Sequence, residues 1–465
     1  MRWIRVMALA VGLAGGLAFA QEKPPPLEPP AAAPTPGFDK FGEPLPAAPP
    51  PVDELPAVAR FRALLGHAAT LTYRAAEPID PATGSVRLLG VVLAREGGKA
   101  AIEELTLDGL GEDRIGAASA REVTVTGGDG VLRIARLDLR GLAAPGQAPQ
   151  ALMLDSLRLE TLTLEGDMPV ALAEAVLEDV GRGRPARASL SGLDLLLQEP
   201  GMTGRLRIGR VGLRGIDLGD LVDAMDPPPG APLAEARHPV LLELEQASVA
   251  TEGREVGSLG TLRLEAQPTT NGVDAGRLAL RDLRIEPVPP IEDWLRRFGY
   301  PALLGDLTGE VRFDRTRQRL DLVSLALAGR EMGVLGLSFA LEGVTPEAME
   351  QQDWEALRLA GVTLRYLDQS LYGRALRDQA RRLRQPEQRL REQWAGQAAA
   401  ALGAGSGRAP APVAAALQRF LRGEAKEVEI SARPPQPLPL GQVPAAFLGG
   451  PAEMQRVLGL GAVAR

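Results

Sequence analysis

The side chains that most often carry acid–base and nucleophilic chemistry are scarce in this sequence. It holds two histidines, His67 and His238, and no cysteine. His67 follows Ala63-Leu64-Leu65-Gly66 and reads as a helix end, and His238 precedes Pro239 just before a strand-like run. Both are expected to be surface or capping residues rather than proton shuttles. The HExxH, GxSxG and Walker A patterns are absent. Gly403-Ala404-Gly405-Ser406-Gly407 has no strand before it and reads as a loop. Glu103-Glu104 is an acidic pair in a strand-like segment. Neighbours along a strand point to opposite faces, so this pair is expected not to flank one substrate. Without cysteine there is no disulfide and no thiolate metal site. The inventory predicts a protein that is not an enzyme, with no catalytic residue, no cofactor and no metal.

The densest charged feature is basic. Arg374, Arg377, Arg381, Arg382, Arg384, Arg389 and Arg391 crowd one segment, against Asp378, Glu387 and Glu392. Arg374, Arg377, Arg381 and Arg384 follow three- and four-residue spacing and so share a helix face. Leu376, Leu383 and Leu390 recur on a different stripe, the one expected to be buried. The four arginines are the candidate contacts for anionic lipid head groups, the expected form of peripheral membrane contact. A net charge of −7 argues against a general nucleic-acid binder.

The elements around these residues read as strands. Leu152, Leu154, Leu157, Leu159, Leu162 and Leu164 form one run; Leu206, Ile208, Val211, Leu213, Ile216 and Leu218 form a second with the same spacing. Shorter copies are Leu132-Ile134-Leu137-Leu139, Leu278-Leu280-Leu283-Ile285, Leu320-Leu322-Leu325-Leu327 and Leu357-Leu359-Val362-Leu364. At about 100° per residue the positions i, i+2, i+5 and i+7 scatter around a helix. They alternate within each half, as a half-buried strand requires, and slip by one residue between halves. Each doublet is therefore a long bulged strand, or two short strands joined at a corner. A Leu-x-Gly-aliphatic signature recurs at Leu107–Leu110, Leu139–Leu142, Leu190–Leu193, Leu213–Ile216, Leu341–Val344 and Leu359–Val362, with glycine where a bulge or bend would need it. The intervals are irregular, and Asn271 is the sole asparagine, which argues against a fixed-period solenoid or a leucine-rich repeat.

The first residues read as an export signal. Arg2 and Arg5 precede the apolar run Val6 to Phe19, and Ala18-Phe19-Ala20 offers a cleavage site. Residues 21–56 hold 13 of the 40 prolines and read as a tether that cannot bury a core. The expected organisation is a signal peptide at 1–20, a proline-rich linker at 21–56, an N-terminal β-rich region at 57–286 and a C-terminal region of strands and helices at 287–465. The expected helices are Pro169–Val180, a segment opening at Ile291, Ser370 to about Ala401 with a break at Pro386, Ala411–Arg422, and two short ones around Gly449-Gly450-Pro451. The fold class is mostly β with C-terminal helices, an extended, twisted antiparallel sheet of bulged Leu-rich strands.

Three features together resemble the AsmA-like group of exported bacterial proteins and their alphaproteobacterial relatives. They are the doublet strands; Gly305-Asp306-Leu307-Thr308-Gly309-Glu310-Val311-Arg312-Phe313-Asp314 followed by Leu320 to Leu327; and the move through Tyr366-Leu367-Asp368-Gln369-Ser370-Leu371 into a basic helix. The resemblance spans roughly residues 60 to 460. It implies an extended sheet with an apolar concave side that shelters acyl chains. It carries over no catalytic residue. The sequence thus leads to a periplasmic protein with lipid or an envelope protein as partner. The other reading is a structural protein of the envelope that buries the same leucines as core. The two differ in whether the leucine faces meet protein or stand open.

Overall fold

The computed structural model describes residues 54–465 apart from short segments, the longest being 144–151, 218–237 and 403–411. The signal peptide, nearly all of the linker, His67 and Gly403–Gly407 lie outside the described residues. The architecture is mostly antiparallel β, with helices concentrated towards the C-terminus, as the doublets predict. The described residues form two compact units, the first running to Ala188 and the second from Ser189 onward, with Asp217 grouped with the first. The expected boundary near 286 falls inside the second unit, because strands on either side of the Pro287–Pro290 segment pair with each other.

The first unit holds α1 (Pro56–Leu65), β1 (Thr70–Thr72), β2 (Ala75–Asp80), β3 (Ser85–Arg95), β4 (Gly98–Leu110), β5 (Arg114–Gly127), β6 (Gly130–Ala143), β7 (Leu154–Glu165) and β8 (Val170–Val180). From β3 to β8 each strand pairs antiparallel with the next, and β1 and β2 both pair with β3. β8 corrects the helix expected at Pro169–Val180. Its Ala, Glu and Leu content favours a helix, but Val170, Leu172, Ala175, Leu177 and Val180 carry the doublet spacing, and pairing with β7 overrides propensity.

The doublets are single bulged strands, and the bulges align. A seam of interrupted pairing crosses Gly90, Glu103, Glu122, Ala135, Thr161 and Ala173. A second crosses Gly109, Gly116, Gly141, Asp155 and Asp179. Left-handed residues fall on alternate strands, Gly90, Glu122 and Thr161 in the first seam and Gly109, Gly141 and Asp179 in the second. Gly141 shows why the Leu-x-Gly signature exists. Its φ is +64°, and an added Cβ would collide with the Asp155 side chain. Each slip leaves two successive residues on the outer face, which corrects the expectation for Glu103-Glu104. Ile102 and Leu105 are buried on either side, and both glutamates line the same outer cleft.

The second unit begins with most of β9 (Ala186–Glu199), then β10 (Met202–Ile216), β11 (Val240–Thr251), β12 (Arg254–Gln267), β13 (Val273–Ile285), α2 (Glu292–Phe298), β14 (Leu303–Asp314), β15 (Arg319–Gly329), β16 (Gly333–Glu342) and β17 (Arg358–Asp368). The helices α3 (Leu371–Leu383), α4 (Glu387–Ala401) and α5 (Pro412–Arg422) follow, then β18 (Glu427–Ala432), β19 (Leu438–Pro439), α6 (Val443–Leu448), α7 (Pro451–Leu458) and β20 (Leu460–Ala464). Strands β9 to β18 pair antiparallel in sequence order; β19 adds to β17, and β20 to β18. The helices expected after residue 290 are present, with Pro386 at the start of α4.

Candidate functional site

Register in the second unit lines the apolar positions into rows that run across the strands. One row is Val211, Leu244, Leu262, Leu280, Leu307, Leu327, Leu335 and Tyr366. The next is Leu213, Leu242, Leu264, Leu278, Gly309, Leu325, Leu337 and Leu364. No side chain in either row offers a hydrogen bond until Tyr366, whose hydroxyl donates to Asp368 at 2.8 Å. Burial and that carboxylate push the Tyr366 phenol above its ordinary range.

These rows are not closed. Between β10 and β17 every member is half-buried or exposed, and Leu264, Leu327, Leu335 and Leu364 retain 38%, 51%, 42% and 44% of their accessible surface. The opposite face is charged. Arg263 pairs with Glu243 and Glu265, Arg312 with Glu310, and Arg365 with Glu427.

At the C-terminal end the same rows are covered. They continue from Tyr366 to Val428 and Ala464, and from Leu364 to Ile430 and Ala462. Ala416 and Phe420 of α5 pack on this patch, with the Phe420 ring 5.8 Å from that of Tyr366. The Tyr372 hydroxyl donates to Leu421 O at 2.6 Å, and Arg419 donates to Ala464 O at 3.2 Å, so α5 is fixed from both sides.

Arg374, Arg377 and Arg381 lie on α3, at the strand ends; Arg384 is the left-handed residue that ends the helix (φ +53°), so it does not continue their helical face as the spacing predicts. Arg374 is engaged within the protein: its guanidinium donates to Phe298 O at 3.0 Å and Gly299 O at 2.6 Å, and lies 4.0 Å from the Tyr300 ring centre. Arg377, Arg381 and Arg384 are exposed. Between the helices, Arg297 donates to the buried Asp378 at 2.8 Å. That hydrogen bond holds the Asp378 carboxyl below the usual carboxylate range, with Arg382 adding to the attraction. Residue spacing alone did not reveal that Arg374 is spoken for, because its acceptors are backbone carbonyls distant in sequence.

Other chemistry-bearing residues do not converge. His238 is half-buried beside the start of β11. The outer cleft of the first unit, about 460 Å³, mixes Glu103, Glu104 and Glu122 with Arg74, Arg121 and Arg136. Arg121 and Arg87 pair with Glu104, so this is a solvated ion network. Among the described residues no cluster of three or more His, Cys, Asp or Glu side chains could hold a metal, and no helix is long and apolar enough to cross a membrane.

A family model described as an uncharacterized protein matches residues 326–465, from β15 to the C-terminus. No curated protein matches the chain.

Proposed function

We propose that this is a non-enzymatic periplasmic protein that binds lipid, in the service of envelope maintenance, on the apolar face of β10–β16. The observation that carries the reading is the pair of open apolar rows. A surface with no donor or acceptor suits a ligand part that has none, which is hydrocarbon. The resemblance to the AsmA-like group points the same way. Where a strand slips, two residues face outward for each single step inward, so the outer arc is longer and the strand bends towards its apolar side. Combined with ordinary sheet twist, this makes the Leu-rich face a trough across the strands. In the first unit the corresponding face is closed, which favours a structural role for that unit.

Native mass spectrometry of protein purified without detergent tests the reading. Wild type is expected to carry lipid-mass adducts. Leu327→Asp with Leu335→Asp, which face each other across β15 and β16, is expected to remove them while the protein stays folded. Adduct-free wild type, or adducts that survive the double substitution, would count against the trough.

A further inference from the structure

The helical pair α2–α3 has features that the trough does not use. The two helices sit at the same ends of the strands, since α2 links β13 to β14 and α3 leaves β17. They are joined by the Arg297–Asp378 ion pair at 2.7 Å and by the bonds from Arg374 to Phe298 and Gly299. Met332, from the β15–β16 turn at the same ends, packs with Leu295 and Tyr300. The pair is therefore a rigid corner of the second unit.

Its surface is cationic on an acidic chain. Residues 292–298 and 371–384 hold seven arginines against Glu292, Asp293 and Asp378, whereas the whole chain carries −7. Arg297 and Arg374 are spent on internal bonds. Arg377 and Arg384 have no carboxylate partner among the described residues, and Arg381 reaches Asp378 only at 3.9 Å. The same helical pair also carries apolar groups open to solvent. Trp294 is 38% exposed and stacks on Tyr300 at 6.0 Å, and Leu383 is 47% exposed. Tyr300 in turn carries the Arg374 guanidinium on its ring, so Trp294 and the first turn of α3 belong to one surface. A part-exposed tryptophan on a helix tied to one bearing exposed arginines matches the interfacial zone of a bilayer, where aromatic rings sit at head-group level and arginines meet phosphate.

We propose that the α2–α3 corner docks the protein on an anionic lipid bilayer, with Arg377, Arg381 and Arg384 as the electrostatic contacts and Trp294 as the interfacial anchor. Docking there brings the strand ends of β13–β17 to the head-group layer. The contact stands on its own charge and exposure and does not require that the trough hold lipid.

Co-sedimentation of the full chain with phosphatidylglycerol–phosphatidylcholine vesicles, against pure phosphatidylcholine, is the test. Binding is expected only with phosphatidylglycerol and should weaken as salt screens the charges. Arg377→Gln, Arg381→Gln and Arg384→Gln together should lower partitioning about a hundredfold, from about 1 kcal/mol per arginine near an anionic surface and about 1.4 kcal/mol per factor of ten. Trp294→Ala should reduce the part of binding that survives high salt. A charge-matched control, Arg317→Gln, Arg319→Gln and Arg358→Gln, removes charge from the opposite strand ends and should leave most binding intact. Equal losses in the two triple variants, equal binding to neutral vesicles, or no binding to either kind would each overturn the proposal.

Discussion

The two units are built from the same bulged antiparallel strands, yet one closes its apolar face and the other leaves it open. In the first, Leu107, Ile134 and Leu159 keep 1%, 1% and 3% of their surface. In the second, Leu327, at a comparable place in its strand, keeps 51%. The two units also differ in how often their strands slip. In β6 the inward positions are Leu132, Ile134, Leu137, Leu139 and Leu142, a repeat with two slips, and β4, β5, β7 and β8 follow the same pattern. In β13 and β15 there is one slip; in β14 and β16 the inward positions simply alternate, as in Leu335, Leu337, Phe339 and Leu341. Each bulge bends its strand. The strands of the first unit carry two aligned seams and a buried inward face, with Val58 and Phe61 of α1 also buried. From β11 to β16 the strands carry one slip or none, and their apolar rows stay open.

The largest expected effect breaks the comparison outright. Leu159→Asp places a charge in a closed face and should cost more than about 4 kcal/mol, enough to abolish cooperative folding. Leu327→Asp should cost about 1 kcal/mol or less, because the carboxylate stays hydrated. Leu213, half-buried in β10, should fall between them. Urea melts of the three variants check the order, and equal losses at Leu159 and Leu327 would mean that both faces are closed.

The helical corner sharpens the contrast through pH. Asp378 has its carboxyl held low by Arg297, so its contribution to stability is present above the ordinary carboxylate pKa of about 3.9 and is lost as pH falls through the lower folded value. Asp378→Asn should therefore melt below wild type at neutral pH, and the gap should shrink in acid. A gap that is constant with pH would show that the ion pair is not its source.

Smaller effects come from the seams. Gly141→Ala must place a Cβ at φ +64° and displace the Asp155 side chain, which should cost at least about 1–2 kcal/mol. Thr161 is β-branched, exposed, and held at φ +50°. Thr161→Gly should then be neutral or stabilising by up to about 1 kcal/mol, strain relief outweighing chain entropy. Thermal melts decide both, and a loss at Thr161→Gly comparable to that at Gly141→Ala would mean that the left-handed residue is not strained.

Much of this fold was legible in the residues. The slip in each doublet marked the bulges, the Leu-x-Gly signature marked the left-handed Gly109, Gly141, Gly192, Gly215 and Gly343, and the proline and capping signals placed α4, α6 and α7. The residues also held what the reading missed. β8 carries the doublet spacing under a helix-forming composition. Glu122, Thr161 and Gln246 take left-handed positions that no glycine advertises. The count of slips per strand was visible too, but its meaning depends on how the seams align across strands, which is a tertiary fact. For the candidate site, the exposed Arg377 and Arg381 of α3 were identifiable by spacing, whereas Arg384 caps the helix in a left-handed conformation. The commitment of Arg374 and the nearness of Trp294 were not, since both arise from contacts between segments far apart in sequence.

The most direct test of the proposal that the apolar rows of the second unit take up lipid is covalent mapping with a diazirine-bearing fatty acid, irradiated on the detergent-free protein and located by peptide mass spectrometry. Labelling should concentrate on the apolar rows of β10–β16, around Leu264, Leu327 and Leu335, and spare the inward residues of β3–β8. Labelling spread evenly over both units, or confined to the first, would contradict the account.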